Sequence, residues 1–127
     1  MTLSEYFENA KGIGVLATTD LAGQVNQALY AKPLFLDKED DHTCSFIMAN
    51  RLTHDNVGRN PSAAYLFIEQ GEGYAGKRLS LVVGDEDADV ERIKTIRRRY
   101  DIPLSDEECR YLVHFHIEGV RPLIGRE

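Results

Sequence analysis

Apolar and polar residues alternate along most of this chain with a period of two, interrupted by short stretches of helical period. The first element is helical. Leu3, Tyr6, Phe7 and Ala10 recur at spacings of three and four, so residues 4–11 form an amphipathic helix with Ser4 as N-cap and Gly12 as stop. Gly12 to Thr19 (GIGVLATT) is a strand, Asp20 to Gly23 a turn, and Gln24 to Ala31 the returning strand of a hairpin. Pro33 breaks the pairing, and Leu34 to Leu36 resumes as a short strand. Beyond the polar loop 37–42, Thr43 to Met48 is a further strand. In SAAYLFIE, Ala63, Tyr65 and Phe67 share one face and Ala64, Leu66 and Ile68 the other. Apolar residues on both faces predict cover on both sides. After the loop 70–76, Lys77 to Gly84 is a strand, and the acidic run Asp85 to Asp89 opens a helix from Val90 to Tyr100. That helix turns Val90, Ile93, Ile96 and Tyr100 to one side and Arg92, Lys94, Arg97, Arg98 and Arg99 largely to solvent. Ile102-Pro103 ends it, Ser105 to Glu108 makes one turn, Tyr111 to Glu118 is the last strand, and Gly119 to Gly125 is a tail. Six or seven strands in antiparallel succession, without a βαβ rhythm, predict a closed or nearly closed barrel with appended helices.

Two places depart from simple packing patterns. The returning hairpin strand mixes Val25, Ala28 and Tyr30 with polar Asn26 and Gln27, and Ala28 and Ala31 leave room on one face. A core strand prefers larger branched residues. A flat ligand on the strand would explain this, and so would a crowded barrel interior. The second place is SFIMANRLTHDNVGRNP, residues 45–61. It opens as a strand, becomes small and polar at Ala49-Asn50-Arg51, and continues into a short helix for which Thr53 is the expected cap. Backbone N–H groups at a helix start, with Arg51 and the Thr53 hydroxyl beside them, suit an anion such as a phosphate. An ordinary capped connector with a solvated Arg51 fits the same residues.

The chain has 127 residues and 43% hydrophobic content, which allows one domain, 1–127, with a modest core that a dimer interface would supplement. A net charge of −6 argues against nonspecific binding of nucleic acid or anionic membranes. The apolar runs are too short to span a bilayer, and MTLSEYFENAK lacks the basic start of a signal peptide. Cys44 and Cys109 lie far apart with no CxxC partner, as expected of a cytoplasmic protein with free thiols.

Motifs for specific chemistry are few. QGEGYAG lacks both the dinucleotide fingerprint and the P-loop order. DEDAD lacks the EF-hand spacing and reads as helix capping. His114 and His116 share a strand face without an evident third ligand, so no metal site is expected. No catalytic dyad stands out.

In order and spacing, GVLATT…AGQVNQA, FIMANRLTHDNVGRNP followed by SAAYLFI, and LSLVVG before an acidic helix resemble the FMN-binding split β-barrel superfamily, whose best-known member is pyridoxamine-phosphate oxidase. The resemblance covers nearly the whole chain. It implies a mainly β (α+β) fold, a six- to seven-stranded antiparallel split β-barrel with appended short helices. It further implies a homodimer holding FMN in the clefts between subunits. Asn26, Gln27 and Ala28 would line the isoalloxazine ring, and Met48, Ala49, Arg51, Leu52 and Thr53, with Asn56 further in, would grip the phosphate. Where many members carry a second cation, this chain has Leu52. The substrate-binding tail of the oxidase is missing, so pyridoxamine-phosphate oxidation is not carried over. The implied activity is that of a flavin oxidoreductase or electron carrier of unspecified substrate and electron partner. The alternatives are a non-enzymatic ligand-binding or sensor module, or the same barrel holding haem or a deazaflavin.

Overall fold

A computed structural model describes residues 1–49, 51–100 and 109–125, with backbone alone at 109 and 110. Its first helix, α1 (Leu3–Asn9), is capped by Thr2 and not by Ser4. The Thr2 hydroxyl accepts the Glu5 N–H at 3.1 Å, while Ser4 is buried. Six strands follow: β1 (Gly12–Thr19), β2 (Val25–Tyr30), β3 (Thr43–Ala49), β4 (Ser62–Glu69), β5 (Gly76–Asp87) and β6 (Cys109–Pro122). Helix α2 (Leu52–Val57) joins β3 to β4, and α3 (Val90–Arg99) follows β5.

The strands form one antiparallel sheet in the order β2-β1-β4-β5-β6-β3, curled into a half-barrel. β2 and β3 are its edges. The expected strand at Leu34 to Leu36 shrinks to one bridge, in which Leu34 and Ser45 exchange both backbone hydrogen bonds at 2.8 Å. That bridge is the described link across the gap, so the barrel is split rather than closed.

Period two sets which side chains go inside. Leu16, Tyr65, Phe67, Leu79, Leu81, Val113 and Phe115 fill the concave side with Phe46 and Met48. Helix α1 plugs one end, stacking Phe7 on Phe35 at 6.0 Å and setting it edge-on to Phe67 at 5.4 Å. A second apolar layer lies outside, where Ile93 and Ile96 of α3 cover Leu34, Ile47 and Leu112.

Strands β5 and β6 run further than their residue patterns predict. Asp85, Glu86 and Asp87 belong to β5, which stays paired with β6 as far as Asp87–Leu112. Asp89 alone caps α3, accepting the Glu91 and Arg92 N–H groups at 3.0 and 3.3 Å. Gly119 to Pro122, expected in a tail, pair with Ser80 to Lys77. Arg97, expected outside, is only 6% exposed, because it lies one turn beyond Ile93 on the covered face and can bury its aliphatic stem there. The expected helix stop at 102–103 and turn at 105–108 lie outside the described residues. No helix among those described is long and apolar enough to cross a membrane.

Candidate functional site

The end of β3, the start of α2 and the inner face of β2 converge at one rim of the half-barrel. Arg51, not Thr53, is the N-cap residue of α2. Its backbone is extended and its side chain makes no capping bond. Thr53 sits inside the helix, 5% exposed, and its hydroxyl accepts Asn26 Nδ2–H from β2 at 3.2 Å. A partner 27 residues away in sequence takes the hydroxyl that a local reading assigns to capping. Asn56, also buried, donates to the Thr18 hydroxyl of β1 at 3.1 Å, and Asn60 donates to that of Thr19 at 2.7 Å. Asn26, Thr53 and Asn56 are therefore gathered at one place, with Arg51 and Leu52 exposed at the same helix start.

The other candidates are placed less uniformly. Ala28 is half-buried on the inner face opposite Leu16, whereas Gln27 points outward and is exposed. The Met48 side chain is fully buried in the barrel core, leaving its backbone for any ligand contact. Ala49 is half-buried, at a register shift that ends the regular β3–β6 pairing.

Toward the end of the half-barrel that α1 covers, a cavity of about 340 Å³ is lined in part by Phe7, Tyr30, Lys32, Phe35, Phe46 and Tyr100, and by none of the rim residues. Tyr30 and Phe46 meet edge-to-face at 5.8 Å. Lys32 donates to the Ala10 carbonyl at 2.8 Å. Ala31 is on the cavity wall and Ala28 is not. Sequence reasoning did not single out Tyr30 or Phe46, because aromatic residues at strand spacing look like core.

It also missed His54. The ring stacks on Tyr111 of β6, with centroids 3.8 Å apart and planes 9° apart, and Nε2 pairs with the Glu86 carboxylate of β5. Glu86 is 32 residues further on and Tyr111 further still, so no local pattern reveals the group.

Elsewhere, His114 and His116 do share a face. His114 Nδ1 lies 2.6 Å from the Ser45 hydroxyl, and burial holds its pKa below the usual histidine value. Among the described residues no three His, Cys, Asp or Glu side chains are grouped to hold a metal. Cys44 is a buried free thiol whose pKa is pushed up by burial to about 12, so it is a poor nucleophile.

No protein-family model and no curated protein matches the chain. Solved structures do. An FMN-binding protein from Syntrophomonas wolfei superposes with a TM-score of 0.79 at 15% identity, covering 98% of this chain and 85% of that one. An F420 reductase gives 0.66 at 21% identity, covering 95% and 98%. A candidate pyridoxamine 5'-phosphate oxidase from Lactobacillus delbrueckii gives 0.66 at 17% identity, covering 93% and 88%. The fold of this chain is the split β-barrel that these structures share.

Proposed function

We propose that the chain is an FMN-binding flavoprotein, an oxidoreductase or electron carrier acting in the cytoplasm as a homodimer with the cofactor in the clefts between two copies. The observation that carries this reading is the convergence of Asn26, Arg51 and Thr53 at one rim of the half-barrel. Arg51 supplies the cation for a phosphate, and Thr53 and the backbone at the α2 start supply neutral donors. Asn26 and Ala28 present a polar group and little bulk to a flat ring, Gln27 on the outer face can offer it only its backbone, and Tyr30 follows on the same inner face as Asn26 and Ala28. The bound flavin supplies the hydride or electron transfer, and the protein's part is binding, orientation and exclusion of water.

The dimer is supported by the convex face of β1, β2 and β4. Ile13 is 62% exposed, Val25 66% and Leu29 75%, and register places Val15 beside both Leu29 and Leu66. An apolar sheet face of this kind calls for a partner. A second copy would bury it and wall the cleft.

A second reading keeps the ligand and drops the catalysis. Leu52, exposed where the resemblance implies a second cation, favours it, because one fewer charge weakens the phosphate grip. The test is to add FMN, desalt, and record the visible spectrum and thermal stability. A retained flavin band with an upward shift in Tm supports cofactor binding, and loss of both overturns it. Reduction of the bound flavin by NAD(P)H separates the oxidoreductase from the mere binder.

A further inference from the structure

Helix α2 has only six residues and cannot hold its shape alone. Apart from Val57 in the core, side-chain links to three regions of the barrel fix it. Asn56 ties it to β1 and Thr53 to β2. His54 ties it to the opposite side, by stacking on Tyr111 of β6 and pairing with Glu86 of β5.

The backbone of β5 is shaped for this last link. Between the pairs Val83–Phe115 and Glu86–Val113, β5 uses one residue more than β6. In regular pairing Asp85 would stand opposite Val113. The extra residue puts Glu86 there instead, on the side of the strand that faces His54. Bulges at barrel rims commonly re-aim a side chain in this way. The opposite ring nitrogen, Nδ1, is buried and has no hydrogen-bond partner among the described residues, so the pairing with Glu86 is the described polar link of that ring.

We infer that His54 is a positioning residue, and that its clamp between Glu86 and Tyr111 sets where α2 presents Arg51 and Thr53 and thereby sets affinity at the anion site. This rests on the flavin reading for the identity of the ligand, but the clamp can be tested without it. The charged group facing the ring is Glu86, with Tyr111 beneath it. The links from β1 and β2 to the helix, Thr18 and Asn26, are neutral, and Arg51 and Asp55 on the helix segment itself are exposed.

The experiment uses the full chain and the variants Glu86→Ala, Glu86→Gln and His54→Phe. Hydrogen exchange is followed at the Asp55 and Gly58 amides, which donate to the Arg51 and His54 carbonyls. Glu86→Ala should speed exchange at these two sites by about tenfold, the effect of losing one strong hydrogen bond. Amides of β1 and β4 should keep their rates. Glu86→Gln retains an acceptor for Nε2–H and should recover most of the protection. His54→Phe keeps a ring on Tyr111 and loses the pairing, so it should match Glu86→Ala. FMN titration of the same proteins should show affinity falling in parallel. Unchanged α2 exchange in Glu86→Ala and His54→Phe overturns the clamp, as does an equal rise across the whole sheet, which would mean a general loss of stability. If wild type fails to bind FMN, the flavin reading fails while the exchange data still decide the clamp.

Discussion

Replacing Gly14 with alanine should damage the wall of the proposed ring site by way of the Tyr65 side chain and the Tyr30 backbone. Gly14 lies in β1, between Tyr30 of β2 and Phe67 of β4. A Cβ added there would stand 1.8 Å from the Tyr65 hydroxyl oxygen, 2.4 Å from its ring carbon and 2.8 Å from the Tyr30 carbonyl oxygen. Tyr65 cannot swing aside, because it is 1% exposed and its hydroxyl donates to the Ala31 carbonyl at 3.1 Å. Relief must come from shifting that ring or pushing β2 away from β1. Overpacking costs about 1–3 kcal/mol, and losing the tyrosine hydrogen bond adds about 1 kcal/mol. The sum is about 2–4 kcal/mol out of a total of roughly 5–15 kcal/mol. In a domain of this size that lowers Tm by roughly 8–16 °C.

The control is Tyr65→Phe. Alone it should destabilise by about 1 kcal/mol, because two carbonyls lose their donor. In the Gly14→Ala background it should stabilise, because it removes the closest of the three contacts. Urea denaturation of the four proteins gives the coupling directly. The reasoning is refuted if Gly14→Ala changes stability by less than about 0.5 kcal/mol, the usual effect of a neutral substitution. It is also refuted if the two substitutions are additive. Flavin affinity should fall with Gly14→Ala in the folded protein, since β2 carries Asn26 and Ala28.

Arg51→Ala should weaken FMN by about 1.5–3 kcal/mol, roughly 10- to 150-fold, as measured by fluorescence titration. An unchanged dissociation constant would remove Arg51 from the phosphate site. Leu29→Glu places a carboxylate on the exposed face of β2 and should convert the dimer to a monomer by light scattering, with little loss of fold since Leu29 is already exposed; a monomeric wild type would remove the proposed cleft. His114 is held below its unfolded pKa, chiefly by burial, so the unfolded chain takes up its proton first as pH falls. Its burial therefore costs nothing above about pH 6.5, the unfolded value, and costs more as pH drops toward the folded value. His114→Gln should flatten the fall in stability with acid in that window, and an identical pH profile would count against the assignment.

Most of the half-barrel is legible in the residue pattern because each strand has one face on a common core, and that constraint leaves a period of two in the chain. The hairpin Gly12–Tyr30 and the strand Ser62–Glu69 show it plainly. Legibility fails where a residue's environment is supplied by a distant part of the chain. Asp85 to Asp87 look like a helix start by composition, yet ladder bonds to β6 hold them in a strand, since exposed acidic residues are tolerated there. Arg97 looks solvated by its charge, yet it lies on the covered face of α3. Thr53 looks like a cap by residue type, yet Asn26 takes its hydroxyl. The rim of the half-barrel concentrates such cases. The Asn26–Thr53, Asn56–Thr18 and His54–Glu86 links join segments 27 to 38 residues apart, so helical or strand periodicity carries no trace of them. A short helix pinned by polar links is also what a ligand site needs. Its side chains are held in place by specific bonds as well as by packing, with Arg51 and Leu52 exposed at the helix start.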